Sequence, residues 1–405
     1  MSKITLFLLF MGIFGQLSAQ NISYKKYEYV GTGASQHYQY LPMLAGKHIG
    51  VVTNHTAIIQ KIVHQKDSTI TVQNEHLVDF LLSKKVKIDK VFAPEHGFRG
   101  TADAGEVIKD GVDTKTKLPI VSLYGKNKKP TAEQLKGIEV MLFDLQDVGV
   151  RFYTYISTLH YVMEACAENY IPLVILDRPN PNGHFMDGPV LEPAYKSFIG
   201  MHPVPVVYGM TIAEYAQMIN GEKWLKGGLQ CNLKIVPLKS YDRKAIYPLP
   251  VPPSPNLPNA TAVNLYPSLC FFEGTQVSMG RGTKWQFQIY GSPYLEKTAF
   301  TFVPKPNAGD KNPKFNGRIC YGEDLTQTPP LSELNLSWLI KAYEQTSGIK
   351  TPFFTSSFDK LAGNKNLKEQ LLQHKSEKEI KESWQKSLKD FAKIRRKYLL
   401  YPSEF

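Results

Sequence analysis

Short apolar runs separated by helix-patterned stretches recur through the first half of the chain, and this alternation restricts the fold more than any other feature. Ile49-Gly50-Val51-Val52-Thr53 is followed by a helical Leu77 to Lys84, then by Ile88 to Phe92, Pro119 to Leu123 and Val140-Met141-Leu142-Phe143. A helix is expected to open at Thr131, because Thr131 and Gln134 have capping-box spacing, each side chain meeting the other's free backbone amide. A longer helix over Tyr153 to Glu168 leads to Leu173-Val174-Ile175-Leu176. Runs this uninterrupted and partly β-branched suit strands covered on both faces, hence a parallel sheet between helix layers. The expected class is α/β, a doubly wound parallel sheet.

The passage Pro248 to Pro258 (PLPVPPSPNLP) is too rich in proline for a helix or a central strand and reads as stiff, extended chain. Beyond it the pattern is mixed, with Leu295 to Val303 strand-like and Leu367 to Tyr398 mostly helical and amphipathic. The expected division is a leader over residues 1–19, a sheet domain over 20–250 and a smaller α+β domain over 251–405.

In an open α/β sheet the ligand crevice lies outside the carboxyl ends of the strands, so the residues that follow each apolar run are site candidates. Here those positions are polar: Asn54 and His55, then Glu95, His96 and Arg99, then Asp144, Gln146 and Asp147, then Asp177, Arg178, Asn180 and Asn182. Carboxylates, amides and cations converging from four strand ends suit a polyhydroxylated ligand, which offers many hydroxyls and little apolar area. Each group also has a structural use. Asp177 to Gly183 could form only a rigid turn, Asp144 and Asp147 could cap a helix or its loop, and the histidines could be bonded within turns. Glu95 has no helix terminus immediately preceding it to serve.

Residues 1–19 carry Lys3, an apolar run from Ile4 to Phe14 and small residues at Ser18 and Ala19, the pattern of a secretory signal peptide. A periplasmic or secreted protein without a transmembrane segment is expected. Lys and Arg number 48 against 36 Asp and Glu, a formal charge of +12, which suits an anionic partner. The basic residues do not alternate with aromatics as in a nucleic-acid groove, and for an exported protein the cell envelope and acidic sugars are the natural anions. The four cysteines are widely spaced without a CxxC pair, which argues against a zinc ribbon or dithiol site, and Cys166 reads as a buried apolar residue. No GxSxG elbow, P-loop or HExxH occurs, and Gly31-Thr32-Gly33 lacks the setting of a dinucleotide fingerprint. A hydrolytic metal site from His55, His96, Asp144 and Asp147 would have suitable donors but no diagnostic spacing.

Several segments together resemble the exo-β-N-acetylmuramidase (NamZ-type) family. They are Thr53 to Thr56 (TNHT), Pro94 to Gly100 (PEHGFRG), Phe143 to Tyr155 (FDLQDVGVRFYTY), Asp177 to Gly183 (DRPNPNG), Tyr208 to Thr211 (YGMT), Ser254 to Pro258 (SPNLP), Glu273 to Thr283 (EGTQVSMGRGT) and Tyr398 to Tyr401 (YLLY). Trp285-Gln286-Phe287 departs from the Pro-Phe usual in that family. The resemblance implies a Rossmann-like catalytic domain, a second domain that helps to close the site, and release of N-acetylmuramic acid from non-reducing ends of peptidoglycan fragments, with no cofactor or metal. Its motifs add Tyr153, Glu273, Ser278 and Arg281 to the substrate-binding candidates. The lactyl carboxylate of muramic acid would meet Arg99, Arg151 or Arg281 in a bidentate fork.

Glycosidic cleavage needs a proton for the leaving oxygen and a group that stabilises the developing cation. Glu95 is the expected acid, desolvated by Phe92 and Phe98 and oriented by His96. Asp147 or Asp144 is expected in the second role, unless the sugar's own acetamido oxygen takes it. Two other functions fit the same residues: a non-catalytic muropeptide-binding envelope protein, and a metal-dependent envelope amidase or esterase.

Overall fold

The computed structural model describes residues 30–64, 70–95, 97–99, 110–244, 247–346 and 350–403. The expected leader and His96 lie outside these residues. The first unit runs α1 (His37–Leu44), β1 (His48–Thr53), a hairpin of β2 (Ile58–His64) and β3 (Ile70–His76), α2 (Leu77–Ser83), β4 (Lys87–Ala93), β5 (Gly111–Val112), β6 (Pro119–Ser122), α3 (Ala132–Leu135), β7 (Val140–Asp144), α4 (Tyr155–Glu168), β8 (Leu173–Leu176), α5 (Ile212–Gly221) and β9 (Leu233–Val236). Seven strands pair in the order β5-β6-β4-β1-β7-β8-β9. All neighbours are parallel except β5 against β6. The chain thus leaves β1 in one direction and returns to its other side at β7, which creates a switch point at the carboxyl ends of β1, β4 and β7.

The period-two alternation of these strands explains why both sheet faces are covered. Val52, Phe92, Met141, Phe143, Leu173 and Ile175 point into one core with α4 and α5. Val51, Val91, Leu142, Val174 and Leu176 point into the other, against Tyr40 and Leu44 of α1 and Leu77, Val78 and Leu81 of α2. The capping box at α3 is formed, with Gln134 N donating to Thr131 Oγ1 (3.2 Å) and Thr131 N to Gln134 Oε1 (2.9 Å).

The second unit comprises α6 (Ala260–Leu269), β10 (Ile289–Ser292), β11 (Thr301–Phe302), β12 (Cys320–Asp324), α7 (Ser337–Thr346), α8 (Phe358–Ala362), α9 (Asn366–Leu372), α10 (Glu377–Ser383) and α11 (Gln385–Arg396). Its three strands form an antiparallel sheet in the order β10-β12-β11. The core on the α4 side continues through Leu265, Phe271, Leu334, Phe358, Ile380 and Phe391, so the two units share one apolar interior. The proline-rich passage lies against the carboxyl edge of the first sheet: Tyr153 donates its hydroxyl to Pro253 O (2.7 Å) and His55 Nε2 to Pro252 O (2.9 Å). All four cysteines are buried and free. No helix among the described residues is long and apolar enough to cross a membrane.

Candidate active site

The turn after β4 ends with Gly97 (φ +73°), whose amide donates to Pro94 O (3.1 Å), and leaves Glu95 half-buried at the mouth of a cavity of about 300 Å³. The turn after β6 brings Tyr124 to the same cavity, and the loop from β7 to α4 brings Phe152, Tyr153 and Thr154. Thr154 Oγ1 donates to Glu95 Oε2 (3.0 Å), and the Tyr124 hydroxyl is a second donor to this carboxylate. Burial first, and the Glu95 charge second, raise the Tyr124 pKa above the ordinary phenol range.

The far wall comes from the second half of the chain. Ser254, Asn256 and Leu257 contribute from the proline-rich passage, Tyr266 from α6, and Glu273, Arg281 and Phe287 from the segment before β10. Tyr266 stands edge-on to Phe152 (5.4 Å), Tyr153 (6.2 Å) and Phe287 (4.9 Å), a continuous aromatic surface. Phe287 holds a left-handed backbone (φ +53°), costly for a bulky side chain, with its amide donating to Met279 O (2.8 Å). Arg281 pairs through Nη1 with Glu273 (3.3 Å) and through Nε with Asp310 (3.0 Å). Lys314 pins the Glu273 segment by donating from Nζ to the carbonyls of Phe272, Thr275 and Val277 (3.1, 2.6 and 3.1 Å). Its burial lowers its pKa to about 8.

Of the expected site residues, Glu95, Tyr153, Glu273 and Arg281 line this cavity. Most of the others are spent on internal contacts. Asp144 and Arg178 form a buried bidentate pair, Nη2 to Oδ2 at 2.9 Å and Nε to Oδ1. Asn54 is buried between Tyr155 and Thr56, accepting from Thr56 N at 3.0 Å. His55 is taken by Pro252, and Arg99 by the Asp113 carboxylate (3.0 and 2.7 Å). That bidentate contact leads the forces holding Asp113 well below the usual carboxylate range. Ser278 is buried and exchanges backbone hydrogen bonds with Gly291 (2.8 and 2.9 Å). Arg151 is fully buried and donates to four carbonyls, those of Pro189 (2.7 Å), Val204 (2.9 Å), Leu361 (2.8 Å) and Ala362 (2.9 Å). Among the three arginines considered for the lactyl carboxylate, only Arg281 reaches the cavity. Phe92 and Phe98 turn into the two cores, so the apolar walls at the cavity are Phe152, Phe198, Ile199, Leu257 and Phe287 instead.

Asp147, expected as a catalytic group, is buried beyond the cavity lining. Its Oδ2 accepts from Gly149 N (2.7 Å) and from the Tyr208 hydroxyl, while Oδ1 has no hydrogen-bond partner among the described residues. Burial pushes its pKa up to about 6. The expected amide ligands form a scaffold around it. Asn182 Nδ2 donates to Val148 O (2.9 Å), Gln146 Nε2 to Asp147 O (2.8 Å) and Pro179 O (2.7 Å), and Asn180 Nδ2 to Met210 O (2.8 Å). Gly149 (φ +75°) crosses Asn180 so closely that a Cβ would lie 2.2 Å from Asn180 Oδ1. Together these contacts fix the loop that presents Tyr153 and Thr154, which is why α4 starts only at Tyr155.

Asp177 has a similar role at the end of β8. It accepts from Ala213 N (3.1 Å), Thr211 Oγ1 (2.8 Å) and the hydroxyl of Tyr401 (2.6 Å), with burial, then the nearby Glu214 charge, pushing its pKa up to about 7. Leu400 N and Tyr401 N donate to Glu214 Oε1 (2.8 and 3.3 Å), so the end of the chain is clasped to the first unit.

Tyr124 was within reach of sequence reasoning, since it follows an apolar run as Glu95 does. Tyr266 arrives from a distant segment with no local signal, whereas Asn256 and Phe287 lie in the Ser254 to Pro258 and Trp285 to Phe287 stretches, which are legible as motif segments but not as site residues.

Residues 49–261 match the N-terminal domain, and residues 264–401 the C-terminal domain, of exo-β-N-acetylmuramidase NamZ. The chain belongs to this family. It is 38% identical over 383 residues to the peptidoglycan β-N-acetylmuramidase NamZ of Bacillus subtilis strain 168, covering 89% of each sequence. Two crystal structures of DUF1343 family proteins from Bacteroides fragilis NCTC 9343 share the fold. One is 39% identical with a TM-score of 0.83, covering 93% of this chain and all of that one. The other is 27% identical with a TM-score of 0.75, covering 92% and 99%. Membership of the NamZ family makes this protein a glycoside hydrolase and gives the two carboxylates of the cavity a chemical context.

Proposed function

We propose that this NamZ-family protein acts outside the cytoplasm and releases N-acetylmuramic acid from the non-reducing ends of peptidoglycan fragments, with Glu95 as the general acid. The observation that carries the proposal is the pairing of Glu95, held by Thr154 and Tyr124, with Glu273 in one small cavity. Cleavage of a glycosidic bond by two carboxylates requires this division of labour. One protonates the leaving oxygen, and the other acts at the anomeric carbon as base, nucleophile or stabiliser. Glu273 takes the second role because it shares the cavity with Glu95, as Asp144 and Asp147 do not.

Cavity size favours an exo mode. A space of about 300 Å³ suits a terminal sugar better than a passing strand. Its aromatic surface accommodates the apolar face of a pyranose, and Arg281 supplies the cation for the lactyl carboxylate, the substituent that distinguishes muramic acid from glucosamine. The test is incubation with a disaccharide bearing N-acetylmuramic acid at its non-reducing end, with mass spectrometry for the free sugar. Release of that monosaccharide is expected. Binding without release, by a folded protein, would replace the hydrolase with a muropeptide-binding protein.

A further inference from the structure

A second cavity, of about 330 Å³, lies between the 189–193 segment of the first unit and the α9 and α11 region of the second. Arg151 braces both walls. One side of its guanidinium holds Pro189 O and the other holds Leu361 O and Ala362 O, just ahead of Asn364. A further strut runs between the walls, Glu192 N donating to Gly363 O (2.8 Å). Trp384 is fixed in the lining by its indole Nε1, which donates to Asp187 Oδ1 (3.0 Å). A buried cation and an anchored indole give this cavity a formed shape.

Ser383 and Ser387 of its lining bond to the carbonyls of Ile380 (2.6 Å) and Trp384 (2.8 Å), but the side-chain amides of α9 form no such bond among the described residues. Asn366 and Gln370 lie four residues apart on α9, hence on one face, and both line the cavity. Asn366 is exposed and Gln370 half-buried, and both are open to a ligand or to water, since neither side chain has a hydrogen-bond partner among the described residues. Asn364 is only 7% exposed, and its Oδ1 accepts from Leu367 N at 3.4 Å, while its NH2 group likewise has no partner there. An amide whose donors open onto a cavity is placed to pair with a ligand there in exchange for water. The lining contains no Lys or Arg and one carboxylate, Glu192. Anionic ligands are therefore disfavoured, including muramic acid and peptides with acidic or free carboxyl groups.

We infer that this second cavity binds an uncharged acetamido-sugar residue of a glycan. Side-chain amides offer a donor and an acceptor in one plane, matching an acetamido group and its neighbouring hydroxyls, while Leu191, Leu367 and Trp384 receive the apolar part of the ring. The 189–199 segment borders both cavities, since Phe198 and Ile199 line the first. One glycan can thus be held at a site separate from the one that is cut.

The test uses a β-1,4-linked trimer of N-acetylglucosamine, which lacks muramic acid, titrated into the intact protein by calorimetry and by NMR. Saturable binding is expected, weakened about tenfold or more by Asn366→Ala combined with Gln370→Ala. Hydrolysis of a small chromogenic N-acetylmuramic acid glycoside should be unchanged in that variant. Ser387→Trp, which fills the cavity from a half-buried position on α11, should abolish trimer binding and guards against misfolding of the double variant. Absence of trimer binding, equal affinity in wild type and both variants, or preference for a free stem peptide would each overturn the inference. None of these results depends on whether Glu95 is the catalytic acid.

Discussion

Glu95 and Asp147 follow the two strands that flank β1, yet they meet opposite environments. Glu95 reaches a cavity and receives hydrogen bonds from Thr154 and Tyr124. Asp147 is enclosed by Tyr208, Gly149 and a shell of side-chain amides that shape the loop carrying Thr154. The difference is one of division between reagent and mould: one carboxylate faces the ligand space, and the other builds the wall that holds it in place. A polar residue at a strand end does either job with the same local sequence, and the choice is made by what the remainder of the chain brings there.

The largest effect expected from this contrast is on turnover. Glu95→Gln should lower kcat/KM by roughly 10²- to 10⁴-fold with the melting temperature unchanged, in line with loss of a general acid. Near-normal turnover in that variant would remove Glu95 from the chemistry. Asp144→Ala probes the opposite class. It strands the buried Arg178 guanidinium and should cost about 3–5 kcal/mol in denaturant unfolding, with the activity of the surviving folded fraction retained.

Arg281→Met should raise KM for a muramic acid substrate by about tenfold or more, the worth of a charge-assisted hydrogen bond, and leave binding of an analogue without the lactyl group nearly unaltered. An equal loss for both compounds would make Arg281 a support for Glu273 alone. Asp147→Asn is the mildest change. In the wild type the buried acid titrates near pH 6 rather than at its ordinary 3.8. The folded state therefore holds the extra proton in that window, and the stability linked to it is present below about pH 4 and lost as pH rises through about 6. The Asn variant should flatten this slope in thermal melts recorded across pH while keeping most of its turnover. Loss of turnover as large as that of Glu95→Gln would return Asp147 to the catalytic pair.

Much of the first unit is legible in the sequence because its signals are local. The run Leu173 to Leu176 is a strand over those same residues, and the Thr131 cap forms as its spacing demands. The β2–β3 hairpin escapes notice because its strands mix Ile and Val with Gln, Lys and Asn and fit neither a buried run nor a clean amphipathic alternation. Leu295 to Val303 yields only a two-residue strand, Thr301–Phe302, since Glu296 and Lys297 sit in the connection that precedes it. At the site, Glu95 is readable from the end of its strand, and Glu273 and Arg281 only from the pattern of whole motifs. The internal engagement of Asp144, Asn180 and Asp177, where a ligand contact was expected, has one cause. Their partners are Arg178, Met210 O and Tyr401, and no spacing reveals that these will consume their hydrogen-bonding capacity.

The clasp of Leu400 and Tyr401 onto Glu214 and Asp177 ties together residues 186 and 224 positions apart in the sequence. Neither Glu214 nor Asp177 has these partners until segments far apart in the sequence have folded against each other. A cut just before Leu400 would therefore strip partners from two carboxylates buried in the sheet domain, so its damage would be felt at β8 and α5 and not at the cut itself.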